Sequence, residues 1–255
     1  MASHGEMDIF SRWLTTKTTD IERHSLSILT QNDGAREGMI EDLQGIVCDH
    51  YVPPEVMAKR LAELGAPETA NLLREHLPTS KKARSGDFGE VLATEVAERQ
   101  LSFQVPVRRL RWKDGRNMAL RGDDIVAVAR DSKSRLKFLK GESKSRAMLT
   151  ASAVEEAAKA LDRDRGRPTR HSVLFVADRL REMGKDELAQ DLEQAVLQSF
   201  REYKVEHFLF TLSGNKPDNH LFIHLRACRN KRRRYAIGVH IKDHGSFIED
   251  LFSRL

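Results

Sequence analysis

Short apolar runs in the second half of the chain predict a β-sheet. Residues 125–129 and 136–139 are β-prone runs on either side of a turn-like segment at residues 131–134, a pattern typical of a hairpin. A third apolar run, residues 172–177, is predicted to be a short central strand. Further strands are predicted at residues 103–110, 205–212, 221–225 and 235–241.

Helical spacing of apolar residues marks other segments. Residues 54–77 show this spacing, with a break at Gly65-Ala66-Pro67 where a second helix begins. A helical stripe follows Ser85 and consists of Phe88, Val91, Leu92 and Val96. Helices are also predicted at residues 40–51, 151–161, 185–203 and 247–255.

The order of these elements predicts an α/β fold in which helices flank a mixed sheet. Apolar residues in the first 30 positions follow no clean period, and the clear patterns before residue 80 are helical. Residues 1–80 are therefore predicted to form a mostly helical N-terminal subdomain that binds a partner or regulates the protein. A linker-like segment at residues 78–82 leads into the α/β domain, residues 81–255.

The composition is that of a water-soluble protein. Of the 255 residues, 40% are apolar and 32% are charged, and no window approaches the ~20 apolar residues of a membrane span. The start lacks a secretory signal, although residues 1–6 could be additions, because Met7 is another possible start. Cys48 and Cys228 lie far apart, which argues against a disulfide framework and favours the cytoplasm.

Basic residues cluster, and the clusters suit a nucleic-acid backbone. Lys and Arg number 43 against 38 Asp and Glu, a net charge of +5. The clusters fall at residues 107–116, 162–170 and 229–234, where salt-sensitive phosphate contacts are expected. Each cluster alone is also compatible with a solvated loop or a charged edge strand. The candidate nucleic-acid contacts are Arg109, Arg111, Arg146, Arg167, Arg232 and Arg233.

The hairpin register brings two carboxylates together. If residues 131–135 form the loop, Arg130 pairs with Leu136 and Asp124 falls opposite Glu142, with Cβ atoms ~5 Å apart. Lys144 lies two residues further and therefore shares the face of Glu142. A slip of one residue would remove Asp124 and bring in Asp123 instead.

Two adjacent carboxylates and a lysine are suited to metal-assisted cleavage of a phosphodiester. The carboxylates repel each other unless a proton or a cation neutralises them, and hard oxygen ligands favour Mg²⁺ or Mn²⁺. The alternative is a surface hairpin with a Glu/Lys pair, since Glu-x-Lys is common by chance.

Glu90 is a candidate for a third carboxylate. One interpretation makes Asp87 a helix N-cap and Glu90 its capping-box partner. The other directs Glu90 at the metal site, because the small residues Gly89, Ala93 and Ala97 would let the helix approach the sheet closely.

These motifs resemble known nucleases. Glu90 on a leading helix, Asp124 at a strand start and the Glu142-x-Lys144 triplet, in the order αβββαβ, resemble the PD-(D/E)XK nuclease superfamily. More narrowly, residues 84–90, 122–125 and 141–145 look like the HamA family, the nuclease subunits of Hachiman anti-phage defence systems. The likeness begins near residue 72 and runs to residue 255.

The resemblance implies a DNase that works beside a separate, HamB-like helicase subunit. It implies that Asp124, Glu142 and the backbone carbonyl of Ser143 bind the metal, while Lys144 orients or helps to deprotonate water and steadies charge on the phosphorane-like transition state. Glu90 would complete the acidic cluster. A separate helicase also fits the absence of a Gly-x-x-x-x-Gly-Lys-Ser/Thr loop from the sequence.

Other functions are compatible with the same sequence features. A stand-alone restriction or repair endonuclease, or a non-catalytic DNA-binding adaptor of a helicase, would share these features, and RNA is not excluded as a substrate. His220, His224 and Cys228 are spaced for a zinc site on a helix, but residues 221–225 are predicted to be a strand. Nucleophilic catalysis by Cys228 has little support, because no orienting Asn or Asp is evident nearby in sequence.

Overall fold

A six-stranded mixed sheet, flanked by helices, forms the centre of the protein. The computed structural model describes residues 8–34 and 36–255, so the question about residues 1–6 lies outside the described part. The strand order is β1-β2-β6-β5-β4-β3, with β1–β2 and β3–β4 antiparallel and the other pairs parallel. The strands are β1 Leu14–Ile21, β2 His24–Gln31, β3 Ile125–Arg130, β4 Leu136–Arg146, β5 Lys204–Ser213 and β6 Arg234–His240.

Ten α-helices are described around the sheet in residues 8–34 and 36–255. They are α1 Ile9–Trp13, α2 Arg36–Tyr51, α3 Pro54–Leu64, α4 Ala66–His76, α5 Lys81–Arg99, α6 Ala151–Gly166, α7 Arg170–Glu182, α8 Asp186–Leu197, α9 Asp218–Ala227 and α10 His244–Ser253. No helix in these residues is long and apolar enough to cross a bilayer. The predicted α/β class, a mixed sheet with helices around it, is confirmed.

The predicted hairpin is confirmed with its register. Arg130 pairs with Leu136 and Ile125 with Gly141, so the loop consists of residues 131–135. The side chain of Asp131 stabilises this loop, because its Oδ1 accepts the backbone N–H groups of Lys133 and Arg135, both at 2.9 Å.

Side chains of β4 alternate between the two faces of the sheet. Leu139 lies in the core cluster that also contains Phe88 of α5, whereas Phe138 packs with residues of α7 and α8. Because the side-chain period of a strand is two, Glu142 and Lys144 share the face of Phe138.

The N-terminal residues contribute two strands that the sequence did not predict. β1 and β2 form an antiparallel hairpin, and β2 pairs in parallel with β6, so residues 14–31 belong to the same sheet as the rest of the chain. The alternating apolar pattern of a strand is missing from β1, because β1 is an edge strand whose side chains are buried only at Leu14 and Ile21. The predicted boundary near residue 80 falls between α4 and α5, while Trp13 stacks on Phe247 at 5.6 Å across it.

Two segments predicted to be strands are helices. Residues 172–177 lie in α7, where Val173, Val176 and Leu180 are buried at helical spacing. Residues 221–225 lie in α9, which buries Leu221 and Leu225 four positions apart. Both predictions were wrong because a short apolar run fits either periodicity.

Two further boundaries differ from the prediction. Residues 103–110 form no regular strand, only an isolated bridge between Gln104 and Val128 followed by a 3-10 helix at Arg109–Trp112. The helix predicted at residues 185–203 ends at Leu197, and the chain then turns through Ser199 and Phe200, both with positive φ.

Candidate active site

Asp124 and Glu142 lie opposite each other at the end of the β3–β4 pair where β3 begins. Asp124 immediately precedes β3, and the register continues the pairing of Ile125 with Gly141 towards Glu142. Asp124 Oδ2 accepts the backbone N–H of Ser143 at 2.9 Å, which holds the aspartate against β4. The structure therefore brings together the two carboxylates that the predicted register paired.

Lys144 completes the cluster on the same face. Its Nζ lies 2.7 Å from Glu142 Oε1 and 3.3 Å from Glu156 Oε1 of α6. Burial by itself lowers the pKa of Lys144, but the hydrogen bond and charge of Glu142 outweigh it and leave the pKa above its usual value. The ammonium is therefore charged at neutral pH and able to donate.

Glu90 reaches the site from the middle of α5. The helix begins at Lys81 with Ser80 as its N-cap, so the interpretation of Asp87 as an N-cap, with Glu90 as its capping-box partner, is wrong. Asp87 instead accepts hydrogen bonds from Lys113 Nζ at 2.7 Å and Tyr51 Oη at 2.5 Å. Ser85 and Gly86, which are typical of a break between elements, lie inside α5 and concealed its true start.

The close approach of α5 to β4 depends on Gly89. A Cβ at this position would lie 3.0 Å from Ser143 Oγ and 3.1 Å from Ser145 Cβ. Glycine thus lets the helix backbone lie directly on the strand that carries Glu142 and Lys144.

Burial disfavours the ionised form of the carboxylates in the site. Burial, followed by the charge of Asp124, raises the pKa of Glu90 to about 8 and that of Glu142 to about 7. Burial also raises the pKa of Asp124, against the lowering effect of the Ser143 N–H. A cation bound here would displace protons and lower these pKa values.

These raised pKa values predict that the stabilising contribution of Glu90 and Glu142 to the metal-free protein declines as the pH rises. The folded state retains protons that the unfolded chain releases near pH 4.5, so this contribution is full below that pH and is lost as the pH rises through about 7 to 8. Buried histidines such as His207, His224 and His244, whose pKa values burial lowers to about 4, have the opposite dependence. The measurement is therefore a difference: in thermal unfolding in EDTA from about pH 5 to pH 8, the Tm of the wild type should fall relative to that of Glu90→Gln, whose side chain cannot ionise. A Tm difference that stays constant across this range would contradict the linkage.

Asp123 has a different environment from its neighbour. Its side chain is buried, with Oδ1 3.4 Å from Lys140 Nζ and Oδ2 accepting the N–H of Thr169 at 2.6 Å. Its own N–H donates to Ser172 Oγ at 2.8 Å. Asp123 thus makes structural contacts with Lys140, Thr169 and Ser172, whereas Asp124 lies beside Glu142.

Arg109 fixes the backbone of the aspartate pair. It is buried, and its guanidinium donates to the carbonyl oxygens of Asp123 and of Arg121, the latter at 2.8 Å. Its charge also lowers the pKa values of Glu90 and Asp124 against the larger effect of burial. The predicted nucleic-acid contact is therefore placed inside the protein, where it positions the site.

The donor set fits a hard cation bound partly through water. In a β-strand the N–H and C=O of one residue point to the same edge, so the Ser143 carbonyl points past the start of β3, as its N–H does. No three His, Cys, Asp or Glu side chains in residues 8–34 and 36–255 gather closely enough to bind a metal together. Two carboxylates and a carbonyl, completed by water, are compatible with Mg²⁺ or Mn²⁺.

The same finding bears on the zinc alternative. His220 and His224 do lie on a helix, α9, with Cys228 as its C-cap, contrary to the predicted strand. They nevertheless form no metal-binding group within the described part of the chain. His224 Nε2 instead lies 2.9 Å from Arg234 Nη1.

Two of the remaining candidate arginines, Arg111 and Arg146, have different environments. Arg111 donates to the carbonyl of Asp49 in α2, at 2.6 Å from Nη2. Arg146 is exposed at the end of β4, beside a cleft also lined by Lys81 and Arg84. Arg146 is thus free to contact a ligand in solution, whereas Arg111 connects the 3-10 helix to α2.

The other three candidate arginines lie near the start of β5, away from Arg146. Arg167 lies near Arg232, whose pKa is lowered by burial and then by the charge of Arg167. Arg233 lies over the ring of Tyr235, with 4.8 Å between its Cζ and the ring centroid. The predicted basic clusters at residues 162–170 and 229–234 therefore adjoin each other in the fold.

Sequence reasoning missed several residues around the site. Lys140 is buried and donates to the carbonyl of Arg163 at 3.1 Å, which connects β4 to the end of α6. Its signal was present, because Lys140 lies two residues before Glu142 and so on the same face of β4. Glu156 carried no local signal, since its place beside Lys144 depends on how α6 packs on the sheet.

Comparisons with known proteins place this chain in a family. The sequence matches the HamA protein family over residues 7–255. It is similar to the Hachiman protein HamA of Bacillus cereus, with 29% identity over 218 residues that cover 81% of this chain and 76% of that protein. The family match extends over the predicted site and over the N-terminal hairpin. The chain belongs to the HamA family.

Proposed function

We propose that this chain is a metal-dependent DNA nuclease and the effector subunit of a Hachiman anti-phage defence complex. The observation that carries the proposal is the convergence of Asp124, Glu142 and Lys144 at one end of the β3–β4 pair. This convergence supplies metal ligands and a cationic donor within a few ångströms, which is the equipment for hydrolysis of a phosphodiester.

Asp124, Glu142 and the Ser143 carbonyl would hold Mg²⁺ or Mn²⁺. When bound, this ion supplies neutralisation of the phosphate charge and a lowered pKa for the attacking water. Glu90 adds a further carboxylate next to Asp124, directly or through water. Its raised pKa keeps it protonated near neutral pH until positive charge arrives.

Lys144 acts as a donor in this proposal. Its raised pKa keeps the ammonium charged, and its three N–H groups reach the space beside Glu142. It would orient the attacking water and stabilise the charge that develops on the phosphate oxygens.

A helicase partner would supply what this chain lacks. The sequence has no Gly-x-x-x-x-Gly-Lys-Ser/Thr loop for nucleotide phosphates, so ATP-driven movement would come from a HamB-like subunit. The N-terminal region, residues 1–80, would dock on that subunit, and docking would hold the nuclease in check in the cytoplasm until foreign or damaged DNA is engaged.

A cleavage assay tests the proposal. The purified chain, with and without the helicase encoded beside it, is incubated with plasmid and single-stranded DNA in Mg²⁺, Mn²⁺ or EDTA. We expect degradation that requires the metal and that also depends on the helicase and ATP. Fixed product ends would instead favour a restriction-type endonuclease, and DNA binding without cutting under every condition would favour a non-catalytic adaptor.

A further inference from the structure

A cavity rich in arginine lies next to the part of β4 that precedes Glu142. It has a volume of about 360 Å³ and is lined by two segments, one that runs from the end of α6 to the start of α7 and one that follows α8. The lining includes Arg165, Arg167, Arg170 and Arg201, together with Ser199 and Phe200. Asp164 is the one acidic residue in its described lining.

The positive charge of this cavity is not neutralised by neighbouring carboxylates. Within residues 8–34 and 36–255, none of the four arginines has a carboxylate oxygen within 4.0 Å of its guanidinium nitrogens. Arg170 donates to Ser199 Oγ at 2.9 Å, which joins the two walls. Four guanidinium groups that line a shared space without carboxylate partners favour an anionic ligand.

Both walls are attached to the strand that carries Glu142. Lys140 Nζ donates to the carbonyl of Arg163 at 3.1 Å, and Phe138 packs edge-on against Phe200 at 5.2 Å between ring centroids. Thr169, in the first wall, donates its N–H to Asp123 at 2.6 Å. The cavity is thus held in a fixed position relative to the candidate catalytic carboxylates.

The spacing suits a second phosphate of the same strand. Lys140 and Phe138 precede Glu142 by two and four residues, which corresponds to about 7 to 13 Å along β4. An offset of this size between the residues that hold the cavity walls and Glu142 is within the length of a few nucleotides of one strand, at ~3.4 Å per nucleotide.

We propose that the cavity lined by Arg165, Arg167, Arg170 and Arg201 binds a phosphate group of the nucleic-acid strand that is cut at Glu142 and Lys144. The proposal rests on the proposed nuclease function for the identity of the strand. The phosphate is either a terminal monoester or an internal diester, since both present anionic oxygens to guanidinium groups.

Binding without metal tests the cavity separately from catalysis. Fluorescence anisotropy in EDTA measures the affinity of the full chain for one single-stranded oligonucleotide, with and without a 5′-phosphate. We expect Arg167→Gln/Arg201→Gln to weaken binding at least about tenfold and to reduce the salt slope by about 1.4. The control is Lys17→Gln/Lys59→Gln, which removes the same charge from exposed positions elsewhere.

The two oligonucleotides identify the source of the phosphate. A wild-type preference for the phosphorylated strand that the double variant loses would place a terminal monoester in the cavity. Equal weakening of both strands would place an internal diester there. Because Arg201 is exposed, Arg201→Gln alone should fold normally and weaken binding in the same direction.

Binding by the double variant equal to that of the control would overturn the cavity proposal. Its failure is distinguishable from failure of the nuclease proposal. Metal-dependent cutting with unchanged binding in the double variant would leave the nuclease and remove the cavity. Weakened binding in the double variant, with no cutting by the wild type, would leave the cavity and remove the nuclease.

Discussion

Lys144→Met is expected to lower the rate of metal-dependent DNA cleavage by a factor of about 10² to 10³. The substitution keeps an unbranched side chain but removes the ammonium that lies 2.7 Å from Glu142. In the proposed mechanism, the charge that develops on the phosphate then lacks the donor that Lys144 supplies. Single-turnover cleavage of a labelled duplex in saturating Mg²⁺ measures the effect on the chemical step.

A matched control separates catalysis from folding. Lys159→Met makes the same change on α6, at an exposed lysine that pairs with Glu155 at 2.7 Å. It should cut at the wild-type rate, because exposed ion pairs contribute little to stability. Cleavage by Lys144→Met at the rate of Lys159→Met would remove Lys144 from the mechanism.

The hairpin that holds this site was predictable from local rules. A turn-like segment between two β-prone runs fixes the register, and the register fixes which side chains lie opposite each other. Arg130 opposite Leu136 was enough to bring Asp124 to Glu142. The period of two then placed Lys144 on the face of Glu142.

The errors came from places where tertiary contacts decide. Residues 172–177 form a helix because α7 packs its apolar face on the sheet and α8, which a short apolar run does not reveal. Arg109 belongs to a basic cluster in sequence, yet the fold buries it against backbone carbonyls. Charge clusters predict a basic surface but not which of their members reach it.

Substitutions of the two adjacent aspartates should have large and different effects: Asp123→Ala should lower stability, whereas Asp124→Ala should abolish cleavage and leave stability nearly unchanged. Asp123→Ala is expected to lower the free energy of unfolding by about 3 to 5 kcal/mol, since it leaves the buried ammonium of Lys140 without its carboxylate. Asp124→Ala should change stability by no more than about 1 kcal/mol, because the lost Ser143 hydrogen bond is offset by relief of a buried, repelled carboxylate.

Chemical denaturation with and without Mg²⁺ distinguishes the two residues. Asp124→Ala should remain folded but lose both cleavage and the stabilisation by Mg²⁺, which is about 2.7 kcal/mol for a ligand at 100 times its Kd. Asp123→Ala/Lys140→Met should recover part of the stability lost in Asp123→Ala, because it removes the unpaired charge. If Asp123→Ala were as stable as the wild type and had lost the response to Mg²⁺, the metal would be bound by Asp123 instead of Asp124.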